Sequence, residues 1–157
     1  MTAEITFPPI PQLLPHRDGM LLLREIEKAE EGLLLATGWI PANCPAATEG
    51  RASTMMAVEL AAQAAAVHEA LLHRGLLTAI APPPEGAAPQ EPIQGYLVGL
   101  RRLQLRRPTV TVDDPLGVRI QRHGGAGALV MYDIEVWRQE DEAPVLGGRL
   151  SNWALPS

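Results

Sequence analysis

The chain has 157 residues, of which 46% are apolar and 20% charged, and its formal net charge at pH 7 is −5. This length and composition fit one globular domain spanning residues 1–157 and exclude disorder of the whole chain. The acidic balance also argues against nucleic acid as the main partner.

Two further features favour a reducing, cytoplasmic location. Cys44 is the single cysteine, so no intrachain disulfide can form, and no Cys/His spacing typical of a metal site is present. The first residues lack a basic stretch, and prolines interrupt their apolar runs, which is unlike a secretory signal or a membrane anchor.

Short elements are predicted before the middle of the chain. Residues 10–16 favour a helical turn between prolines, and residues 20–28 and 33–40 are apolar runs that predict the two strands of a hairpin. The segment 41–51, rich in Pro, Ala and Gly, is predicted to be a loop.

A long helix is predicted over residues 52–73. Ser53 or Thr54 can cap its start, and Gly75 is suited to close its end. Because the segment is apolar nearly all round, it must be covered on nearly all sides.

Strands are predicted for most of the remainder. Proline and glycine in residues 76–92 predict an irregular connection, and strands follow at 94–106, 116–122, 128–138 and 145–154. Two strands, one helix and four strands indicate an α+β domain in which an antiparallel sheet wraps one helix. Any part of the helix left uncovered suggests a partner chain.

Glu59 is the candidate for chemistry, because it is an ionisable carboxylate within the apolar helix. Burial without a partner would raise the pKa of Glu59 and prepare it for acid/base chemistry near neutral pH. The alternative is a structural carboxylate paired to an arginine or to strand amides.

Three motifs resemble one protein family, the β-hydroxyacyl-(acyl carrier protein) dehydratases of the hotdog fold. Residues 14–23 (LPHRDGMLLL) are similar to the opening of these proteins, residues 58–65 (VELAAQAA) to their central helix, and residues 97–108 (LVGLRRLQLRRP) to their third strand. Within the group, the chain resembles a divergent branch of dehydratases associated with aryl-polyene lipids.

The resemblance implies a homodimer or larger hotdog assembly, an acyl-phosphopantetheine thioester substrate carried by acyl carrier protein or coenzyme A, and no metal or cofactor. In this family a histidine removes the C2 proton of a 3-hydroxyacyl thioester, and the helix carboxyl protonates the departing hydroxyl. The resemblance assigns the second role to Glu59.

The chain departs from the family pattern in the loop before the helix. The family's loop histidine falls at Pro45, and its glycine at the helix start falls at Thr54, whose side chain would crowd a thioester there. His68 is predicted to face away from Glu59, and His73 lies too far along the helix to contact Glu59.

The remaining candidate residues can be interpreted as structural or as functional. His16 matches a family histidine usually regarded as structural and is kept as a second catalytic candidate, whereas His123 is expected to be exposed in a glycine-rich turn. Gln63, Thr54 and Gly99 are assigned to substrate binding, although Gln63 can instead position the carboxylate.

Three functions stay open. The first is a 3-hydroxyacyl thioester dehydratase that uses Glu59. The second is an acyl thioesterase in which Glu59 activates water. The third is a catalytically weak subunit that pairs with an active hotdog dehydratase.

Overall fold

The computed structural model describes residues 6–77 and 95–154. Within these residues, a short helix and four strands precede a long helix, and five strands follow it. In chain order they are α1 (Ile10–Leu13), β1 (Leu23–Glu30), β2 (Leu33–Gly38), β3 (Ala47–Thr48), β4 (Arg51–Ser53), α2 (Met55–His73), β5 (Gly95–Leu105), β6 (Thr109–Thr111), β7 (Leu116–Ala126), β8 (Leu129–Arg138) and β9 (Pro144–Ala154).

Six strands form one antiparallel sheet in the order β1-β2-β7-β8-β9-β5, and β3, β4 and β6 form a small second sheet. Alternate residues of the large sheet face α2, as Tyr132, Ile134 and Val136 of β8 do, and these three are almost fully buried. Burial along the middle of β8 thus alternates from one residue to the next. Although α2 is long and apolar enough to cross a membrane, it is the core helix of this fold.

Both ends of α2 have defined capping contacts. At its end, Gly75 adopts φ 69°, its N–H donates to Leu72 O, and the N–H of Leu76 donates to Leu71 O, which is a Schellman closure. At its start, Ser53 Oγ accepts from the N–H of Met55, as predicted for one of the two cap candidates.

The predicted Thr54 cap is wrong. The Thr54 side chain makes no cap hydrogen bond, because its hydroxyl donates instead to the carbonyl of Arg107, 2.6 Å away. The helix also begins later than predicted, since residues 51–53 pair with β6 as strand β4.

Other differences concern strands that the sequence did not predict or predicted too short. Part of the predicted loop 41–51 forms β3 and β4, β6 was not anticipated, and β7 runs to Ala126. His123 therefore lies on a strand and not in a turn. Most of the predicted connection 76–92 lies outside the described residues.

Candidate active site

Glu59 lies in the first half of α2 with about a third of its side chain exposed. Two side chains meet the same carboxylate oxygen: Gln63 Nε2 lies 3.1 Å from Oε1, and His16 Nε2 lies 3.2 Å from it. Within the described residues, Oε2 has no hydrogen-bond partner. Glu59 therefore keeps one oxygen free for another molecule.

His16 reaches Glu59 from the segment between α1 and β1. Arg17 fixes this segment, because its guanidinium donates to the carbonyls of Pro11, Leu14 and His16. His16 Nδ1 is buried and has no partner among the described residues. Its Nε2, facing Glu59, is thus the ring nitrogen that can contribute to the site.

Gln63 is 1% exposed and uses all of its hydrogen-bonding capacity inside the chain. Its Nε2 donates to Met20 O and Glu59 Oε1, and its Oε1 accepts from the N–H groups of Leu22 and Leu23. No polar group of Gln63 is left for a substrate. The structure favours the alternative role, in which Gln63 positions Glu59.

These contacts determine whether the Glu59 carboxyl group is ionised. Burial acts to raise the pKa of its carboxyl, but hydrogen bonds from His16 and Gln63 and the charge interaction with His16 outweigh burial, and the net pKa is lowered. The predicted increase in the pKa of Glu59 is wrong, because it assumed a carboxylate without partners. Glu59 is therefore held in its ionised form near neutral pH.

Thr54 and Gly99, the two other residues assigned to substrate binding, lie in different environments. Thr54 is fully buried and its hydroxyl is bonded to Arg107 O, so it has no exposed group to offer. Gly99 lies on β5 beside a register shift, and a Cβ there would meet no atom within 4 Å. Neither makes a described contact with Glu59.

A second polar cluster lies further along α2. His68 is fully buried, with Nε2 2.7 Å from the carbonyl oxygen of Glu30 and Nδ1 2.8 Å from the hydroxyl of Tyr132. That hydroxyl also contacts Glu69 Oε1, to which Arg122 Nε donates at 2.9 Å. His68 thus faces away from Glu59, as predicted.

Burial controls the protonation of this cluster. It lowers the pKa of His68, even though the Glu30 carbonyl and Glu69 act in the opposite direction, and it raises the pKa of Tyr132, with Glu69 adding to the effect. Neutral His68 donates from Nε2 to the Glu30 carbonyl. The Tyr132 hydroxyl then donates its hydrogen bond either to Nδ1 of His68 or to the carboxylate of Glu69.

None of the other candidates makes a described contact with Glu59. His73 is exposed at the end of α2, and His123 Nδ1 lies 3.6 Å from Asp133 Oδ2. Cys44 is buried, and its neighbour Pro45 brings no titratable group to the loop. In the part of the chain that the structure describes, no three His, Cys, Asp or Glu side chains could together hold a metal ion.

Comparison with known proteins places these features in a family context. The sequence model of the ApeP-like family, described as ApeP dehydratase, matches residues 8–154. No curated protein sequence matches the chain significantly. The chain is similar in structure to the dehydratase heterocomplex ApeI:P from Xenorhabdus doucetiae, with a TM-score of 0.77 and 18% identity over 97% of this chain and 94% of that one.

Two further structures share the fold. A hypothetical thioesterase with coenzyme A from Streptococcus pneumoniae has a TM-score of 0.54 and 16% identity over 85% of this chain and 86% of that one. The PaaI protein of the E. coli phenylacetic acid degradation operon has a TM-score of 0.54 and 19% identity, covering 82% and 81%. The predicted hotdog fold, an antiparallel sheet around one long helix, is confirmed.

Proposed function

The chain belongs to the ApeP-like family of dehydratases, and from that premise we propose that it removes water from a 3-hydroxyacyl thioester, with Glu59 moving the proton. The thioester is carried by acyl carrier protein or coenzyme A, in fatty acid or aryl-polyene synthesis in the cytoplasm. No metal or cofactor takes part in the proposed reaction.

The observation that carries the proposal is the free oxygen of an ionised carboxylate. Glu59 Oε1 is held by His16 and Gln63, whereas Oε2 has no partner within the described residues. A carboxylate held in one geometry and open at one oxygen is the arrangement that general base catalysis needs.

We propose that the same carboxyl group serves both halves of the reaction. Oε2 takes the proton from C2, and the electron pair of the broken C2–H bond forms the C2=C3 double bond. The C3–O bond breaks, and the proton on Oε2 joins the departing hydroxide as water. Glu59 returns to its ionised state, and no separate loop histidine is required.

His16 is proposed to act through Glu59. Its Nε2–H donates to the carboxylate and stabilises the ionised form, while its buried Nδ1 is shielded from a substrate. We therefore treat His16 and Gln63 as positioning residues, and Glu59 as the proposed catalytic residue.

A second candidate function is that of a subunit whose active site depends on another hotdog chain. Two observations favour it. Pro45 stands where the β-hydroxyacyl-(acyl carrier protein) dehydratases that the chain resembles carry their loop histidine, and the similar protein from Xenorhabdus doucetiae is described as a heterocomplex. The edge strand β5 is the proposed contact, because its outer N–H and C=O groups can pair with a further strand.

A thioesterase activity is the third candidate, since an ionised Glu59 could equally remove a proton from water. The reaction would release a free thiol and leave the acyl chain unaltered. Thiol release therefore distinguishes this reaction from dehydration.

The test uses purified protein with 3-hydroxyacyl and saturated acyl thioesters, following enoyl absorbance and thiol release. Glu59→Gln is the test variant, and Glu69→Gln, a carboxylate on the same helix but in the second polar cluster, is the matched control. Dehydration predicts enoyl product from wild type and Glu69→Gln, and a loss of about 10²–10⁴-fold in Glu59→Gln.

Other outcomes select among the alternatives. Thiol release that depends on Glu59 supports the thioesterase. No turnover by the chain alone, with activity appearing when a second hotdog chain is added, supports the partner subunit. Equal activity of wild type and Glu59→Gln would overturn the assignment of Glu59.

A further inference from the structure

Arg24, the second residue of β1, is an arginine without an acceptor among the described residues. Across residues 6–77 and 95–154, no hydrogen bond or ion pair involves its guanidinium, and its Nε is buried without a partner. The side chain as a whole is half-buried. A guanidinium carries five N–H donors, and a buried donor that stays unpaired costs free energy. The surroundings of Arg24 therefore favour an acceptor from another molecule.

An aromatic ring holds this guanidinium in place. Arg24 Cζ lies 4.7 Å from the ring centroid of Trp39, directly over the ring. Trp39 follows β2, and its own N–H donates to Leu22 O, which fixes it beside the start of β1. The attraction between a cation and an aromatic ring stabilises the charge but supplies no lone-pair acceptor. Trp39 thus positions Arg24 and leaves its donors unsatisfied.

A cavity of about 350 Å³ lies beside Arg24, between β1 and the segment that leads into α1. Apolar side chains supply much of its lining, among them Phe7, Ile10 and Ile26, and two charged residues, Arg24 and Glu25, also line it. Sites that hold small molecules commonly have volumes of about 300–1,000 Å³ and combine apolar walls with a few polar groups. The cavity therefore fits a small molecule.

The two charged residues of the lining differ in their surroundings. Glu25 is exposed, so water solvates its carboxylate, whereas Arg24 is half-buried. In the part of the chain that the structure describes, Glu25 makes no ion pair with Arg24. The positive charge is thus the one left without compensation, and a carboxylate matches the fork of donors on a guanidinium.

We propose that this cavity binds an aliphatic monocarboxylate. The carboxylate accepts hydrogen bonds from the N–H groups of Arg24. The aliphatic chain lies against Phe7, Ile10 and Ile26. This binding site is separate from the one proposed for dehydration, because neither Glu59 nor the two side chains that contact its carboxylate line the cavity.

The test compares three probes that separate charge from apolar area. Octanoate carries both, octanol has the chain without the charge, and butanoate has the charge with a shorter chain. In isothermal titration at low salt, wild type should bind octanoate at least about tenfold more tightly than octanol, because the pair with Arg24 is charge-assisted. Octanoate should also exceed butanoate by at least about tenfold, since each buried CH₂ contributes up to about fourfold.

The indole N–H signal of Trp39 locates the bound octanoate in NMR spectra, because Arg24 lies over this ring. The signal is assigned by its absence from Trp39→Phe. It should shift saturably with octanoate, whereas the indole signals of Trp137 on β8 and Trp153 on β9 should not. Saturable binding that moves only the signals of Trp137 or Trp153 would place octanoate elsewhere and overturn the proposal.

Variants of β1 identify the charge that is used. Arg24→Gln should remove the preference for octanoate over octanol, and octanol that still binds shows that the cavity is intact. Lys28→Gln removes one positive charge at an exposed position of the same strand, and this matched control should keep the preference. Glu25→Gln leaves Arg24 and Trp39 in place and should tighten octanoate binding, which tests the proposal even if Arg24→Gln does not fold.

Three further results would overturn the proposal. They are wild type that binds octanoate no more tightly than octanol, Arg24→Gln that keeps the preference, and Lys28→Gln that loses it equally. None of these measurements involves turnover at Glu59, so their failure is distinguishable from failure of the proposed dehydration.

Discussion

His16 Nε2 and Glu59 Oε1 lie 3.2 Å apart, although one residue precedes the first strand and the other belongs to the central helix. The sequence suggested that Glu59 could be a buried acid without a partner. In the structure, His16 contacts Glu59 and stabilises its ionised form. Burial and pairing oppose each other at Glu59, and pairing has the larger effect on its pKa.

Replacing His16 with Gln should move the pH dependence of dehydration. Loss of the imidazole removes an interaction that lowers the pKa of Glu59, so the pKa rises and the acidic limb of the kcat/KM profile shifts to higher pH. At pH 8 the variant should stay within about tenfold of wild type, because Glu59 is still present. His73→Gln, at an exposed position of the same helix, is the control. An unshifted acidic limb in His16→Gln would contradict the role given to His16.

Replacing Gln63 with Ala should destabilise the fold. The change leaves the N–H groups of Leu22 and Leu23 and the carbonyl of Met20 without their partner in a buried place. The expected loss in the free energy of unfolding is about 2–5 kcal/mol, measured by urea denaturation. Gln121→Ala, at an exposed site on β7, should change it by less than about 0.5 kcal/mol. Equal midpoints for the two variants would show that the Gln63 contacts contribute little.

Gly38 provides a third test, through the same segment. A Cβ at this position would lie 2.2 Å from Leu22 O and 2.8 Å from Leu60 Cδ1, so Gly38→Ala must displace the backbone whose N–H is bonded to Gln63. We expect a loss of at least about 2 kcal/mol in stability. Gly32→Ala, whose Cβ would meet no atom within 4 Å, is the control and should be near neutral in the same thermal unfolding measurement. A Gly38→Ala protein as stable as the control would disprove the close approach.

Sequence patterns were sufficient for the main elements. Apolar periodicity predicts α2 and the strands because burial sets these patterns locally, and Gly75 marks the helix end through its own backbone conformation. The start of α2 was not predictable to the residue, since β4 forms by pairing with β3 and with β6, and β6 lies far along the chain.

The site was predictable only in part, because its contacts are tertiary. Glu59 and Gln63 follow from the helix motif and its one-turn spacing. The position of His16 depends on the path of the chain between α1 and β1, which local patterns do not encode. The hydroxyl partner of Thr54 is likewise tertiary: it is the carbonyl of Arg107, which lies between β5 and β6, far along the chain.

The cluster around His68 should make stability depend on pH. Burial lowers the pKa of His68 in the folded state, whereas the unfolded chain binds this proton below about pH 6.5. Stability is therefore retained above that pH and falls as the pH drops through it toward the folded pKa, by at most about 1.4 kcal/mol per pH unit. The groups that face the ring are Tyr132, Glu69, Arg122 and the Glu30 carbonyl.

The measurement compares unfolding free energies of wild type and His68→Gln between pH 5 and 8. Their difference isolates this residue from other titrating groups, including Glu59. The variant should lack the slope near pH 6. A constant difference between the two proteins across this range would contradict a neutral, buried His68.

The occupied oxygen of Glu59 has a consequence for stereochemistry. Because His16 and Gln63 both bind Oε1, a proton taken by the proposed dehydratase resides on Oε2 and can reach only groups on one side of the acyl chain. The C2 hydrogen and the C3 hydroxyl must then leave from the same side, as a syn elimination. The choice of which hydrogen is lost at C2 would thus depend on two hydrogen bonds that never touch the substrate.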